Sequence, residues 1–261
     1  MNNPQSSLAY PRWPTILELK STQSLWYRAA MFNFALMVFC LVLGLFDDRT
    51  LNGISVWSKP TKFGLSTGIY FLTLVWFATF LDARTLRGTG GKWLVGISSI
   101  AGIFEVVYIA IMASLGEASH FNFSSIFTII MYIFMGVGAV SMVLILPWMA
   151  YLIAKQNSMA NALVFAIVIG LCLTCLLGGG FGIYLSGNVG HWVNAAPTDA
   201  NGIWLFNWAT DGGDLRVAHF FGIHAMHAFP IFVVLLPQHW SQKFKLKTLI
   251  FFIVAYVMFS A

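Results

Sequence analysis

The amino-acid sequence predicts an all-α membrane protein, a bundle of about seven transmembrane helices with its N-terminus on the cytoplasmic side. Three observations carry this prediction. Hydrophobic residues make up 59% of the 261 positions and charged residues only 9%, whereas soluble domains contain about 25% charged residues. Apolar runs close to the length of a membrane span recur along the whole chain. Basic residues are concentrated in every second segment between these runs.

Seven apolar runs define the predicted spans, because a helix needs about 20 apolar residues to cross the hydrocarbon core. The runs are 29–46, 63–82, 93–115, 125–154, 161–185, 216–237 and 246–261. The last run would reach only about 24 Å of a core of about 30 Å, so we expect the native chain to continue past Ala261. We predict an N-terminal interfacial segment over residues 1–28 and a single transmembrane domain over residues 29–261.

Each element has a local reason in the sequence. Residues 12–28 are apolar on one side and basic on the other, which is typical of a segment that lies in the membrane interface. The third run contains one carboxylate, Glu105, and the fourth contains Pro147, which kinks or ends a helix. In the fifth run, residues 178–182 are rich in glycine, which favours close approach of a neighbouring helix or the end of the span.

The positive-inside rule gives the orientation. With the N-terminus inside, the cytoplasmic segments hold ten of the 14 basic residues. These ten are Arg12, Lys20, Arg28, Arg84, Arg87, Lys92, Lys155, Lys243, Lys245 and Lys247. The outer segments hold the other four basic residues together with six acidic ones. We therefore predict a protein of the bacterial cytoplasmic (inner) membrane, whose positive charge contacts anionic lipid and does not bind nucleic acid.

The unusual polar residues gather on the predicted outer side. They occur in residues 57–63 (WSKPTKF), in residues 119–122 (SHFN) and in the stretch that leads into the sixth span. Ionisable side chains are costly in hydrocarbon and usually mark an ion path, a proton relay or a cofactor site. The candidate site residues are Lys59, Glu105, His120, Asp214, Arg216, His219, His224 and His227.

Three motifs in this order resemble a family of bacterial multi-pass membrane proteins for which no activity is established. The motifs are WSKPxKF at 57–63, SHFN at 119–122 and GDLRxxHFxGxHA at 213–225. The resemblance runs from about residue 57 to residue 237, and it implies a seven-helix fold. It directs attention to His120, Asp214, Arg216, His219 and His224. This chain has Ala218 where the family pattern has proline, and His227 where the pattern has glutamine.

Helical geometry limits the histidines of the sixth span. At about 100° per residue, His219 and His224 point about 140° apart around a straight helix, so they cannot chelate one ion by themselves. His224 and His227 are three residues apart and share a face, so they can contact one ion or pass a proton. A metal site therefore requires a ligand from another segment, for which His120 and Glu105 are the candidates.

Three functional hypotheses follow. In the first, haem b lies between helices, with axial ligands among His120, His219 and His224 and with Arg216 or Lys59 pairing a propionate. This hypothesis makes the protein an electron-transfer or redox protein, with a quinone or a periplasmic small molecule as its partner.

In the second hypothesis His120, His219, His224 and Glu105 hold a zinc or iron ion. Zinc would activate water for hydrolysis of a lipid-like substrate, and iron would support redox chemistry.

In the third hypothesis no cofactor is present. A polar network then serves proton-coupled transport, sensing or assembly with a membrane partner protein; its members are Lys59, Glu105, Asp214, Arg216, His219 and His224. Within this network Glu105 is either a proton carrier or a neutral acid hydrogen-bonded to a neighbour such as Tyr108.

Overall fold

The structure, a computed structural model, describes residues 15–188 and 190–260. Residues 1–14, which are the first half of the predicted N-terminal segment, lie outside the described residues, as do Val189 and Ala261. The helices are α1 (Ile16–Thr22), α2 (Ser24–Leu43), α3 (Ser58–Ala78), α4 (Ala83–Arg87), α5 (Thr89–Leu115), α6 (Ile126–Gln156), α7 (Ala162–Leu173), α8 (Gly179–Gly187), α9 (Leu215–Leu235) and α10 (Gln242–Ser260). A single π-helical stretch, Thr174–Gly178, joins α7 to α8.

Helices lie at all seven predicted span positions, which confirms the all-α prediction. Within the described residues, five helices are long and apolar enough to cross a membrane. They are Ser24–Leu43, Thr89–Leu115, Ile126–Gln156, Ala162–Gly187 and Leu215–Leu235. Helices α3 and α10 have 21 and 19 residues but carry lysines in their first turns, and they are not among the five. The protein is thus a multi-pass membrane protein, and five spans follow from length and composition.

The outer surface of the bundle is apolar. Helix α6 exposes a continuous series of large side chains, among them Ile133, Phe134, Val137 and Leu144. A helix that presents such residues to its surroundings along its whole length is stable only against lipid or a partner helix. The lipid bilayer is therefore the environment of this face.

The loops define two ends of the bundle. At one end, the polar end, lie the connections 44–57, 116–125 and 188–214. Contacts between these loops hold the end together; Arg49 Nη1, for example, donates to the Ser114 carbonyl at 3.1 Å. At the other end, the basic end, Asn157 Nδ2 donates to the Phe80 carbonyl at 2.8 Å.

Glycines allow α2 and α3 to pack closely. A Cβ at Gly64 would lie 2.9 Å from the Asn33 carbonyl oxygen, and one at Gly68 would lie 2.5 Å from the Phe34 ring. Since backbones can approach this closely only without side chains between them, α2 and α3 form a tight pair. Trp26 Nε1 donates to Ser98 Oγ at 2.8 Å and ties α2 to α5.

A second close contact joins the π-helical stretch to α9. A Cβ at Gly222 would lie 2.6 Å from the Gly178 nitrogen, and a Cβ at Gly178 would lie 2.9 Å from the Ile223 nitrogen. Thr174 Oγ1 accepts a hydrogen bond from the Met226 amide at 2.9 Å. The glycine-rich 178–182 run therefore provides close helix approach, and the helix continues beyond it to Gly187.

Two short antiparallel hairpins shape the polar end. In the first, β1 (Thr50–Leu51) pairs with β2 (Ile54–Ser55) across Asn52 and Gly53, both of which have positive φ, as tight hairpin turns require. In the second, β3 (Trp192–Val193) pairs with β4 (Gly213–Asp214). The second hairpin closes the long loop and delivers the chain to the start of α9.

Candidate functional site

Arg216 binds the carboxylate that begins α9. Asp214 is the N-cap residue of this helix and accepts a hydrogen bond from the Arg216 amide at 3.0 Å. The same carboxylate accepts from Arg216 Nε at 2.9 Å and from Nη2 at 2.6 Å. The Ala209 amide also donates to Asp214, at 2.9 Å. One aspartate thus caps the helix and orients the arginine.

Asp199 is a second carboxylate on Arg216, and the first hairpin positions it. The Asp199 amide donates to the Asn52 carbonyl at 2.9 Å, so the hairpin turn holds the loop that carries it. Arg216 Nη2 donates to Asp199 Oδ1 at 2.8 Å, and His191 Nε2 lies 3.2 Å from the same oxygen. Only 5% of Asp199 is exposed, so its charge depends on these partners.

The pKa values of both carboxyls are lowered. Burial by itself raises the pKa of Asp199, but the hydrogen bond from His191 and the charge of Arg216 outweigh it. For Asp214, burial likewise raises the pKa, and the hydrogen bonds from Arg216 and Ala209 outweigh it. Both groups are therefore anionic at neutral pH. Asp199, Asp214, Arg216, His191 and Asn207 are called the Arg216 network below.

Asn207 connects this network to α3. It has a positive φ of 59°, a conformation that asparagine tolerates better than most residues. Its backbone carbonyl accepts from Arg216 Nη2 at 2.6 Å, while its side-chain oxygen accepts from Lys62 Nζ. Lys62 also donates to the Phe206 carbonyl at 3.2 Å. The long loop is therefore fixed between the start of α3 and the start of α9.

Lys59, near the start of α3, contacts His120 of the 116–125 loop. Lys59 Nζ lies 3.0 Å from His120 Nδ1, and Ser119 Oγ lies 3.1 Å from the same nitrogen. An ammonium group can only donate, so Nδ1 accepts and the imidazole proton lies on Nε2. Burial lowers the pKa of His120 well below its usual range, and the charge of Lys59 lowers it further. His120 is therefore neutral at pH 7.

Glu105 is the carboxylate of the third predicted span, and it interacts electrostatically with Lys59. It is half-buried and has no hydrogen-bond partner among the residues that the structure describes. The expected bond to Tyr108 is not formed, since the Tyr108 hydroxyl is itself buried without a partner. That prediction was wrong because Tyr108 packs in an apolar cluster with Ile109, Met112 and Met135.

Tyr132 of α6 completes this region. Its ring lies edge-on to His120, with 6.0 Å between ring centroids, and its buried hydroxyl also lacks a hydrogen-bond partner. Phe63 lies between the groups: it packs against the Tyr108 cluster, and its ring centroid is 6.0 Å from that of His120. Lys59, Glu105, Tyr108, His120 and Tyr132 are called the Lys59 cluster below. Three of its polar groups have no hydrogen-bond partner within the described chain.

The histidines of α9 form a separate group. His219 Nδ1 lies 3.0 Å from the Gly178 carbonyl oxygen; because a carbonyl only accepts, Nδ1 is the donor. His224 Nδ1 and His227 Nδ1 lie 3.2 Å apart, which fits the predicted shared face. The buried Nε2 of His227 has no hydrogen-bond partner within the part of the chain that the structure describes.

Aromatic side chains join the α9 histidines to the loop above them. Phe206 and Trp208 stack with ring centroids 4.4 Å apart. Phe220 meets both of them edge-on at 5.3 Å, and its centroid is 4.2 Å from that of His224. The long loop therefore covers the start of α9 with aromatic rings.

The predicted site residues separate into two groups. Lys59, His120 and Glu105 come together, and Arg216 interacts electrostatically with Lys59. His219 and His224 interact electrostatically with each other. Over residues 15–188 and 190–260, no group of three or more His, Cys, Asp or Glu side chains is arranged to hold a metal ion.

Sequence reasoning did not name four members of the polar end as site residues: Asp199, His191, Asn207 and Tyr132. Asp199 and Asn207 lie in a long loop with no regular spacing, and Tyr132 lies in an otherwise apolar helix. A signal existed only for Asp199, as an acidic residue in a loop that leads to Arg216. Asp199 is held by the Asn52 carbonyl. The Asn52-Gly53 pair is typical of a hairpin turn, but nothing in the sequence indicates that this turn contacts Asp199.

Comparisons with protein-family models, with curated proteins and with solved structures found no match to this chain. The family resemblance carried by the three motifs therefore stays a prediction.

Proposed function

We propose that this protein is a bacterial inner-membrane protein that binds a small anion at the polar end of its bundle, with uptake of a proton by Glu105. The proposal takes α3 and α10 as spans in addition to the five helices described above. It also places the N-terminus and the basic end in the cytoplasm, in accordance with the positive-inside rule. The polar end then faces the periplasm.

The observation that carries the proposal is the unsatisfied state of the Lys59 cluster. A buried polar group without a partner is destabilising, and most such groups in proteins are paired with protein atoms, water or a ligand. Among the described residues the Tyr108 and Tyr132 hydroxyls are unpaired, as is the Glu105 carboxyl. Glu105 interacts with Lys59, and the Tyr132 ring lies against His120. A bound solute would satisfy them together.

The charged groups that interact with Lys59 and Arg216 favour an anion. The interacting groups are three cations (Lys59, Lys62 and Arg216), two carboxylates that stay ionised (Asp199 and Asp214) and Glu105. Three positive and two negative charges leave a net charge of +1 when Glu105 is neutral and 0 when it is ionised. An anion is therefore held more strongly when Glu105 carries a proton, which couples anion binding to proton uptake.

Ligand-induced stabilisation tests this function. The purified protein would be heated in detergent with a panel of small carboxylates, inorganic anions, amines and neutral polyols at two pH values. We expect an anion to raise the melting temperature, more strongly at the lower pH. Lys59→Gln should lose this stabilisation, whereas Glu105→Gln, whose side chain is always neutral, should show the stabilisation at both pH values and lose its dependence on pH. The exposed Lys243→Gln serves as a control and should keep both the stabilisation and its dependence on pH. Equal stabilisation of all four proteins would contradict the proposal.

The α9 histidines support a second candidate, a bound haem or metal ion with a redox role and a quinone or periplasmic partner. The hydrogen bond from His219 Nδ1 to Gly178 leaves Nε2 free, which is how proteins orient a histidine ligand. Haem, zinc or iron at His219 would each need a further ligand, because His224 points away from His219 around the helix and His120 lies in the other group. A reduced-minus-oxidised visible spectrum with metal analysis on one sample tests this candidate. A haem band lost in His219→Ala would establish it, and a flat spectrum without metal would rule against it.

A further inference from the structure

At the basic end, far from the candidate site, a cavity of about 270 Å³ opens beside α1 and α2. Its lining consists of Lys20 from α1 and of Ser24, Tyr27, Arg28 and Met31 from α2. The four α2 residues follow the three- and four-residue spacing that places side chains on one helix face. The volume is close to the lower limit of small-molecule sites, about 300 Å³.

The polar part of this cavity is cationic. Lys20 and Arg28 carry its two charges, and neither forms an ion pair or a hydrogen bond with any described side chain. The Ser24 and Tyr27 hydroxyls add two further donors. Two unpaired cations with hydroxyl donors beside them are suited to phosphate oxygens. The recognised group is therefore an anion with several acceptor oxygens.

The rest of the surroundings is apolar. Helix α1 exposes Ile16 and Leu17, with 70% and 78% of their surfaces accessible, on the chain that leads to Lys20. Below the cavity, α2 exposes Met31, Phe32 and Phe39. A short helix with apolar and basic residues side by side is typical of the membrane interface. The exposed side of α2 is an apolar surface that an acyl chain can contact. Apolar residues next to the two cations therefore favour an amphiphile over a free phosphate ion.

We propose that this cavity is a binding site for an anionic phospholipid in the leaflet at the basic end. Lys20 and Arg28 hold the headgroup phosphate, while Met31 and the exposed side of α2 contact an acyl chain. A zwitterionic lipid fits less well, because its headgroup amine brings a third positive charge beside two that are already unpaired.

Native mass spectrometry of the full chain in detergent tests the site, with phosphatidylglycerol and phosphatidylcholine as probes. We expect wild-type protein to retain phosphatidylglycerol in preference to phosphatidylcholine. The double variant Lys20→Gln/Arg28→Gln should bind phosphatidylglycerol with an affinity reduced roughly tenfold or more, since each cation near an anionic surface contributes measurably. The conservative variant Lys20→Arg should retain binding.

A matched control separates this site from general attraction to a basic surface. Lys243 and Lys247 are exposed on α10 at the same end, so Lys243→Gln/Lys247→Gln removes the same charge without touching the cavity. The proposal requires that this control keep wild-type binding of phosphatidylglycerol. Equal losses in the two double variants, unchanged binding in Lys20→Gln/Arg28→Gln, or equal retention of both lipids by the wild type would each overturn it. Displacement of phosphatidylglycerol by inorganic phosphate would also overturn the proposal, since the site would then recognise a free ion.

Discussion

The guanidinium of Arg216 contacts two carboxylates, Asp214 at 2.6 Å and Asp199 at 2.8 Å. These carboxylates are largely withdrawn from solvent, with 1% and 7% of their side chains exposed. Removing one partner of such a buried arrangement leaves an uncompensated charge, which destabilises a protein far more than the loss of an exposed pair does.

We therefore expect Arg216→Gln to destabilise the protein by about 3 kcal/mol, visible as a lowered melting temperature in detergent. Arg49→Gln is the matched control. Arg49 pairs with Asp47 at 2.7 Å, but half of its side chain is exposed, so its loss should cost clearly less than the loss of Arg216, even though its bond to Ser114 is also removed. A similar fall in melting temperature for both variants would contradict the importance assigned to the Arg216 network.

The lowered pKa of Asp199 predicts acid sensitivity. An aspartate with a depressed pKa in the folded state stabilises the protein above its unfolded pKa of about 3.9, and this stabilisation disappears as pH falls through the folded pKa. The melting temperature of the wild type should therefore fall below about pH 4. Asp199→Asn should start lower at pH 7 and change less over the same range. Parallel pH profiles for the two proteins would show that Asp199 has an ordinary pKa.

At the scale of elements, the contact between the π-helical stretch and α9 positions His219. Gly178 provides both the close approach to Ile223 and the carbonyl that accepts from His219. The sequence indicated a glycine-rich approach point, but it did not indicate which helix would fill it. The partner is α9 because Gly222 lies opposite Gly178, and the sequence does not show which residues of two helices face each other.

A methyl group at this contact should be poorly tolerated. Gly222→Ala would place a Cβ 2.6 Å from the Gly178 nitrogen, and overpacking of this kind costs about 1–3 kcal/mol. We expect a corresponding fall in melting temperature. Gly180→Ala is the control, because a Cβ there has no neighbour within 4 Å. Equal stability of the two variants would mean that the helices separate without cost.

The element boundaries and the polar contacts differ in how far the sequence predicts them. Apolar runs alone located α5, α6, α9 and the other long helices, because lipid-facing and core-facing residues are both apolar in a membrane protein. The sequence placed Lys59 and His120 in the same outer site, but it did not predict that they contact each other. Its geometry depends on where the 116–125 loop folds back, which no local spacing encodes.

For the whole molecule, the distribution of charge predicts the topology. Single cysteines in a background without the three native ones can be probed with a membrane-impermeant maleimide on intact cells. Asn201→Cys and Asp48→Cys lie at the polar end, and we expect both to react. Ala160→Cys and Arg87→Cys lie at the basic end and should react only after permeabilisation. If the cysteines of Asp48→Cys and Arg87→Cys were labelled from the same side, α3 would not cross the membrane. The opposite labelling pattern at all four positions would reverse the predicted orientation.

The proposed function depends on proton exchange by Glu105 at a site reached from the polar end. Infrared difference spectroscopy of the protein in lipid membranes, recorded between neutral and acidic pH, measures this directly. We predict a protonated-carboxyl band that appears on acidification in the wild type and persists in Glu117→Gln, which removes an exposed loop carboxylate. The same band should be missing in Glu105→Gln. An unchanged band in Glu105→Gln would contradict the account, since the exchanging proton would then belong to another residue.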